Sequence, residues 1–383
     1  MTERMMPTPN ALYDKWLIIA VISLLLMGLM MVASSSVMIS TKYFHQPFHF
    51  LIRQVCYLLL GFSLSIVVMR IDSSVWEKNS VTLLFVCLLM LVLVLVPGIG
   101  RVVNGSRRWL ALGPIGIQVS ELTKITMIVY VAGYLVRERG RKTHSVIGFI
   151  KPMLVLTIVA FLLMLEPDFG ATVVITGTVM VMLFLTGVSW RYYFGLLLLV
   201  VAALGTLAIS SPYRVARLTA FLNPWADQFN SGYQLTQSLI AFGRGGWLGM
   251  GLGDSVQKLL YLPEAHTDFI FAVLAEELGL CGIFLVMILY AVLVVRGLMI
   301  GFYAHQQSRL FAAYTAYGIT FGLGLQAAIN MGVNVGLLPT KGLTLPLLSY
   351  GGASLVVNCV AIALLLRIDH ENRWQALGLG RFK

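Results

Sequence analysis

The chain has 383 residues, of which 58% are hydrophobic and only 11% are charged. Soluble domains carry about 25% charged residues, so this composition excludes an ordinary soluble protein and indicates an integral membrane protein. The formal net charge of +11 would suit nucleic-acid binding in a soluble protein. In a membrane protein it indicates basic loops that face anionic lipid, so we expect membrane lipids and no nucleic acid among the partners.

The cysteines lie inside apolar runs and lack the spacing of a metal site or of paired disulfides. We therefore expect them to pack as small apolar residues. They are Cys56, Cys87, Cys281 and Cys359. The first apolar run is longer than the core of a signal peptide, which has about 7–15 residues. We expect this run to remain as a membrane span.

A helix that crosses a membrane needs about 20 apolar residues, and lengths of about 17–25 are common. Ten segments are candidates in chain order, of which the third, fifth and tenth are short or weak. They are residues 16–37, 50–69, 81–96, 121–136, 149–165, 170–186, 193–210, 268–295, 310–325 and 354–366. The predicted fold is an all-α integral membrane protein, a single polytopic domain with about ten transmembrane helices.

Lysine and arginine residues predict the orientation, because short cytoplasmic loops carry an excess of them. The most basic connection, RERGRK at residues 137–142, follows the fourth span and indicates that this end lies inside. Both termini are then cytoplasmic, with tails at residues 1–15 and 367–383. Long outer connections follow at residues 97–120, 211–267 and 337–353. Outer loops of this length usually carry function.

The outer connection between the ninth and tenth spans reads LLPTKGLTLPLLSYGGAS and contains Lys341 and Ser349. It is too apolar for a solvated loop, and its prolines and glycines break a helix. Irregular backbone at membrane depth needs protein or a water-filled cavity around it. We predict a re-entrant segment that lines a cavity, with Lys341 as a candidate for anion binding.

Asp268 opens the eighth span within the sequence PEAHTDFIF. An ionisable residue at the mouth of an apolar helix is costly and is usually kept for a function. One interpretation is a helix cap, in which Thr267 or Asp268 accepts hydrogen bonds from the first free amides. The other is a general base, because an exposed carboxylate at a rigid helix start suits that role. The two are compatible, and we interpret His266 as a loop residue.

Glu121 and Lys124 open the fourth span three residues apart, so they share a helix face. They either neutralise each other within the membrane, or form a site in which Lys124 meets a phosphate and Glu121 orients it. Arg107, Arg108 and Trp109 lie just before them on the outer side. Arginine suits bidentate phosphate binding, whereas an Arg–Trp pair also suits the membrane interface.

Further charged residues lie near the outer side or inside a span. Arg53 lies near the outer end of the second span and can extend to the interface. The sequence EPD at residues 166–168 predicts a tight polar turn, and its acids, including Asp168, can also join an outer site. Glu276 and Glu277 lie inside the eighth span, and we assign them no role. Basic residues and one acid on the outer side suit a substrate with a pyrophosphate and a group that must lose a proton.

Six motifs resemble signatures of the SEDS family of polytopic bacterial membrane proteins, in family order and over nearly the whole chain. They are NGSRRWL, SELTK, EPDFG, NPWADQFNSGYQLTQSLIAFGRGGWLGMGLG, VQKLLYLPEAHTDFIFAVLAEELG and LLPTKGLTLPLLSYGG. Together they are highly specific, and they are most similar to the cell-division members of the family. The chain departs from the family pattern at Val119, where relatives often carry proline, and at Asp254, where asparagine is common.

The resemblance implies a peptidoglycan glycosyltransferase that polymerises lipid II during septal cell-wall synthesis, in the bacterial inner membrane. It implies that Asp268 is the family's essential acidic residue, and that Arg108 and Lys124 handle lipid II. The other substrate-binding candidates are Arg53, Gln118, Glu121, Asp168, Lys341 and Ser349. The implied partners are a class B penicillin-binding protein, the septal transpeptidase, and other division proteins.

The expected reaction is an inverting transfer, since a single displacement needs one carboxylate and a retaining double displacement needs a nucleophile as well. No definite cofactor is implied. A divalent cation, Mg or Mn, could assist at the pyrophosphate, although no acidic ligand cluster is evident. Two alternatives stay open: a lipid II flippase whose intramembrane charges line a path, and a non-catalytic scaffold for division.

Overall fold

The computed structural model describes residues 12–103, 106–112, 115–138, 147–185, 190–209 and 212–377. Within these ranges the chain is mostly helical, because a long apolar run satisfies its backbone hydrogen bonds within one helix. The helices are α1 (Lys15–Phe44), α2 (His49–Arg70), α3 (Ser73–Lys78), α4 (Ser80–Leu95), α5 (Val119–Arg137), α6 (Ile147–Leu165), α7 (Phe169–Phe184), α8 (Trp190–Ile209), α9 (Pro212–Leu222), α10 (Tyr233–Gly245), α11 (Ile270–Gln306), α12 (Leu310–Asn334) and α13 (Gly352–Ala376).

Each predicted span overlaps one of these helices, although α11 and α12 continue past the predicted ends at residues 295 and 325, and the all-α membrane class is confirmed. Among the described residues, five helices are long and apolar enough to cross a membrane: α1, α2, α5, α11 and α13. Shorter apolar helices include α4 and α7. The protein is a multi-pass membrane protein, while the number of spans and their orientation stay predictions. Residues 139–142, which contribute to the predicted orientation, lie outside the described ranges.

A small antiparallel sheet occupies the predicted outer connection after α4, and the sequence patterns did not predict it. Its strands are β1 (Gly100–Val103), β2 (Ser106–Leu112) and β3 (Ile115–Gln118), in the order β1-β2-β3. Because β3 leads directly into α5, the sheet is fixed to the start of that helix. Side chains of β2 alternate between its two faces, which separates the adjacent Arg107 and Arg108.

Helix α13 continues beyond the predicted span, into the segment that the sequence predicts as a tail. The apolar run ends at residue 366, but the helix ends at Ala376. Arg373 pairs with Asp369 at 2.9 Å and lies 3.7 Å from Asp14 at the start of α1. The charged side chains at the end of α13 therefore pair with buried partners, whereas those of a solvated tail would be hydrated by water. Further pairs at this end are Arg296–Asp14, Arg309–Glu371 and Arg367–Asp72.

The segment between α12 and α13 is irregular, and its second half is packed inside the helix bundle. Its residues Leu345, Leu347 and Leu348 are at most 2% exposed. It lies against Gly28 of α1, where a Cβ would stand 2.8 Å from the Leu348 carbonyl oxygen. Only glycine allows this close approach. That the segment lies at membrane depth stays a prediction.

Candidate functional site

Asp268 lies in the turn directly before α11. The helix is capped at Phe269 without a side-chain hydrogen bond, so the hypothesis that Thr267 or Asp268 caps this helix is wrong. The amide of Ala272 instead donates to Oδ1 of Asn334 on α12, at 3.2 Å. Because another helix supplies this acceptor, the Asp268 carboxylate is not used at its own helix start.

Two buried asparagines of α12 fix the backbone of Asp268. Asn330 and Asn334 donate to the Asp268 carbonyl oxygen at 2.9 and 3.0 Å. Asn330 also donates to the Leu343 carbonyl at 2.6 Å, which ties the segment before α13 to the same point. Neither asparagine was predicted from the sequence as part of the site. Two amides four residues apart in an apolar helix were the signal that could have indicated them, because buried polar groups need partners.

A cavity of about 540 Å³ opens beside Asp268. Six of the predicted site residues line it, namely Asp268, Arg53, Arg108, Gln118, Glu121 and Asp168. Residues that the sequence analysis did not assign to a site also line it, among them Tyr57, Arg101, Glu264, Thr267 and Tyr350. The wall thus combines α2, the sheet, α5 and the turns before α7, α11 and α13, which are far apart along the chain.

The surroundings of Asp268 set its protonation. Its removal from water raises its pKa from 3.8 to about 7, and the neighbouring Glu264 carboxylate contributes to the rise. Asp168 adds a smaller rise, while the positive charges of Arg217 and Arg108 oppose it. A carboxylate whose pKa lies near the operating pH is well matched to general base catalysis.

Strand alternation decides which arginine of β2 reaches the cavity. Arg108 lines it, and its guanidinium donates to the carbonyls of Glu166 at 3.1 Å and Pro167 at 2.8 Å. Arg107 lies on the other face of the strand and donates to the carbonyl of Leu95 at 3.0 Å. Of this adjacent pair, Arg108 is the one placed to meet an anion in the cavity.

The turn between α6 and α7 carries two acids in different surroundings. Asp168 caps α7 by accepting from the amide of Ala171 at 3.1 Å, and it also lines the cavity. Both sequence interpretations of this turn therefore apply to Asp168. Glu166 is fully buried, and its removal from water raises its pKa to about 8, with a contribution from the Asp168 charge. Glu166 is therefore largely uncharged at pH 7.

Lys124 lies one helical turn beyond Glu121 on α5, off the cavity wall. Its Nζ is 2.7 Å from Oε2 of Glu121, and it donates to Oε1 of Gln326 on α12 at 2.7 Å. Glu121 lines the cavity and Lys124 does not. This geometry supports the interpretation in which the two charges neutralise each other, and it gives Lys124 a contact between helices.

Lys341 and Ser349 are also not among the residues that line the cavity. The Nζ of Lys341 stands over the ring of Phe169, 4.2 Å from its centroid. The hydroxyl of Ser349 accepts from the amide of Leu345 at 2.8 Å. Ser349 therefore shapes the segment before α13, and a direct contact with a substrate in this cavity is not supported by its position.

Two other residues near Asp268 set the space around it. A Cβ at Gly342 would stand 3.2 Å from Oδ2 of Asp268, so glycine leaves the carboxylate room. His266 is buried, and its ring lies 4.7 Å from that of Phe50 and 5.5 Å from that of Tyr350, between centroids. Burial lowers the pKa of His266, which favours the neutral form and suits a packed loop residue.

The cavity wall carries acidic residues, which are candidate ligands for a cation. Within the described ranges, no group of three or more His, Cys, Asp or Glu side chains could hold a metal ion. Glu264 and Asp268 line one cavity, and carboxylates commonly share a divalent cation with substrate phosphates. That a divalent cation binds here together with the phosphates of the substrate therefore stays a prediction.

Comparison with known proteins identifies close relatives over nearly the whole length. The sequence matches the family of cell cycle proteins FtsW, RodA and SpoVE over residues 15–374. The probable peptidoglycan glycosyltransferase FtsW of Legionella pneumophila is 73% identical over 371 residues, which cover 97% of this chain and 94% of that protein. The protein of the same name from Coxiella burnetii is 56% identical over 359 residues, covering 94% and 96%.

Solved structures share the fold. A chain from the work titled "Structural coordination of polymerization and crosslinking by a peptidoglycan synthase complex" has a TM-score of 0.77 and 30% identity, covering 95% of this chain and 99% of that one. The rod shape determining protein RodA of Thermus thermophilus has a TM-score of 0.70 and 29% identity, covering 96% and 100%. Motifs, sequence and fold agree, and the chain belongs to the FtsW/RodA/SpoVE family, the SEDS proteins.

Proposed function

We propose that this protein is a peptidoglycan glycosyltransferase that polymerises lipid II during septal cell-wall synthesis. One observation carries the proposal: the Asp268 carboxylate lies on the wall of a cavity that arginines also line. Those arginines are Arg53, Arg101 and Arg108. The name of the Legionella and Coxiella relatives, probable peptidoglycan glycosyltransferase FtsW, supports the same activity.

In the proposed reaction, Asp268 acts as the general base. Its carboxylate takes the proton from the 4-hydroxyl of the acceptor N-acetylglucosamine, and that oxygen attacks the anomeric carbon of the donor N-acetylmuramic acid. The bond from this carbon to the pyrophosphate oxygen breaks, and undecaprenyl pyrophosphate leaves with the electron pair. One displacement inverts the anomeric configuration. The raised pKa of Asp268 suits proton uptake near neutral pH.

The arginines are placed to stabilise the leaving group. Negative charge grows on the pyrophosphate as its bond breaks, and preorganised cations at that point lower the barrier. Arg108 is already held by the carbonyls of the turn before α7, so little ordering is needed when an anion binds. Gln118 and Glu121 line the same wall and would orient the sugars, while Lys124 acts by fixing Glu121.

The activity is proposed for the outer face of the bacterial inner membrane, with both termini in the cytoplasm. The contact between Asp14 and Arg373 supports termini on one side, because α11 and α13 run from the cavity toward that contact. A class B penicillin-binding protein, the septal transpeptidase, is the proposed partner. The relative solved as a peptidoglycan synthase complex supports such an assembly.

The test uses purified protein, lipid II and the cognate transpeptidase. Wild-type protein and Asp268→Asn are each assayed alone and with the partner, and glycan strands are separated by gel electrophoresis. We expect strands from the wild type and almost none from the variant. Strands from both contradict the role of Asp268. If neither makes strands with the partner present, the enzyme proposal fails. In that case, transport of lipid II across the membrane of vesicles would identify a flippase. A lack of transport would favour the non-catalytic scaffold.

A further inference from the structure

Helix α11 is broken inside its buried part. Gly279 interrupts it with a φ of 65° and a ψ of −162°, a backbone conformation that glycine adopts readily. Before the break, every residue from Ile270 to Glu277 is at most 1% exposed. After it, Phe284 and Leu285 are 52% and 48% exposed. The break therefore separates a short, fully buried helix, which begins just after Asp268, from a long helix that has one buried and one exposed face.

The loop after α10 supplies the backbone hydrogen bonds that the break removes. Five bonds of 2.8 to 3.1 Å hold residues 245–251 together and against residues 276–281, and four of them cross between the two segments. A Cβ at Gly249 would overlap the carbonyl of Glu277, so this approach requires glycine. Backbone groups at membrane depth need such partners. Gly245 and Gly249 of RGGWLGMGLG thus allow the loop to pack directly against the backbone of α11.

Glu276 and Glu277 hold a second part of the same loop. Glu276 accepts from the hydroxyl of Ser255 at 2.5 Å and from the amide of Gln257 at 3.2 Å. Glu277 pairs with Nζ of Lys258 at 2.9 Å. Both acids are at most 1% exposed. We call these five residues the acid clamp.

The acid clamp closes a loop whose far end carries Asp268. The chain leaves the clamp at Lys258 and reaches the cavity wall at Glu264 and Thr267. It then passes Asp268 and returns through the buried helix to Glu276. The contacts of the acid clamp therefore join the start of this segment, at residues 255–258, to its end at Glu276 and Glu277. A chain closed at its base has fewer conformations than an open one, so the clamp restricts the position of Asp268.

We infer that Glu276 and Glu277 are positioning residues for the transfer reaction, which set where the Asp268 carboxylate meets the substrate. The inference rests on the proposed function, which assigns Asp268 as the base. Buried acids are unfavourable unless they are paired and hydrogen-bonded. Apolar residues would pack this helix equally well but would leave the loop unheld. Neither acid is among the residues that line the cavity, so both act through the loop.

The test compares Glu277→Gln with a matched control elsewhere in the bundle. Asp369 and Arg373 form a pair with the same N–O distance, 2.9 Å, as Glu277 and Lys258. The side-chain exposures also match, at 2% and 10% against 0% and 10%. Asp369→Asn therefore removes one acid of similar burial and pairing distance, far along the chain from the loop and within a single helix. Melting temperature, kcat and KM are measured on both full-length variants with lipid II.

For Glu277→Gln we expect kcat to fall about 10- to 100-fold with KM within about twofold, because a catalytic group displaced by about 1 Å can cost about 10²-fold. Lys258→Met should behave in the same way, whereas Lys258→Arg keeps the charge and should keep most of the rate. Asp369→Asn should keep kcat near the wild-type value. If Glu277→Gln lowers kcat no further than Asp369→Asn, or raises KM alone, the inference is wrong.

A second measurement does not depend on lipid II. A single cysteine at Thr267, in a background without the native cysteines, reports access to the loop through its reaction rate with a soluble maleimide. Glu277→Gln should raise this rate several-fold, and Asp369→Asn should not. An unchanged rate in both overturns the inference. If the wild type makes no glycan, the proposed function fails while this rate still tests the clamp. If Glu277→Gln does not fold, the double variant Lys258→Met/Glu277→Gln, which removes both charges, replaces it.

Discussion

Replacing Asp268 with asparagine should separate activity from stability. Asparagine keeps the size and polarity of the side chain but cannot take a proton, and loss of a general base typically costs about 10²–10⁴-fold in rate. Asn330 and Asn334 bind the backbone carbonyl of residue 268, and not its side chain. The loop should therefore keep its geometry, and the loss should appear in kcat.

The same substitution should stabilise the folded protein. The fold raises the pKa of Asp268 from 3.8 to about 7, which at about 1.4 kcal/mol per pKa unit makes ionisation cost at most about 4 kcal/mol. Partial exposure to the cavity reduces this to a few kcal/mol. Between about pH 4 and pH 7 the folded state keeps a proton that the unfolded state releases, so this residue lowers the free energy of unfolding as pH rises, and the effect levels off above pH 7.

The assay is thermal melting in detergent at pH 5.5, 6.5 and 7.5, beside lipid II polymerisation at each pH. Asp268→Asn should melt above the wild type, by a margin that grows with pH. Wild-type activity should rise toward a plateau above about pH 7, as the base ionises. Polymerisation near the wild-type rate would refute the catalytic role. A lower melting temperature of the variant at pH 7.5 would mean that the carboxylate stabilises the fold, and would refute the raised pKa.

Further predictions test the surroundings of the base. Lys124→Met leaves Glu121 buried without its partner at a cost of about 3–5 kcal/mol; melting should fall, and the double variant Glu121→Gln/Lys124→Met should recover. If the double variant also recovers polymerisation, Lys124 does not bind substrate. Gly342→Ala places a Cβ 3.2 Å from the carboxylate and should lower kcat several-fold at unchanged melting temperature; an unchanged kcat contradicts the crowding. Asn330→Leu removes the bond to the Leu343 carbonyl and leaves the Asp268 carbonyl bonded to Asn334 alone, at about 1–3 kcal/mol for an unsatisfied carbonyl, so melting and kcat should both fall, and a stable, active variant would contradict its role. A cysteine at Thr267, on the cavity wall, should react with an impermeant thiol reagent on spheroplasts; labelling only after permeabilisation would reverse the predicted orientation.

The helices were predictable because their signal is local. An apolar run of about 20 residues must satisfy its backbone hydrogen bonds within itself, so each span could be identified without its neighbours. The ends were less predictable. In α13 the apolar run stops at residue 366 but the helix continues to Ala376, because Arg373 there meets Asp14 from the other end of the chain. The strands were missed because short pairings after α4 have no such period.

The site was predictable only in part. Residue type and motif identified Asp268 and Arg108, and both line the cavity. The same reasoning predicted that Lys124 also reaches the substrate, because it lies one helical turn from Glu121. Its direction depends on Gln326 of α12, which binds its Nζ. A sequence window around one helix holds no information about that partner.

Composition and local pattern determined that this chain is a helical membrane protein, and that an acid, Asp268, lies at the start of a long apolar run. Tertiary structure alone decided how that acid is held. Asn330 and Asn334 reach the Asp268 backbone from α12, and Glu276 and Glu277 fasten the preceding loop from within α11. Each of these four residues resembles an ordinary polar interruption in its own helix. Their partners are defined only when the helices pack, since a buried polar group is satisfied by whatever the fold brings beside it.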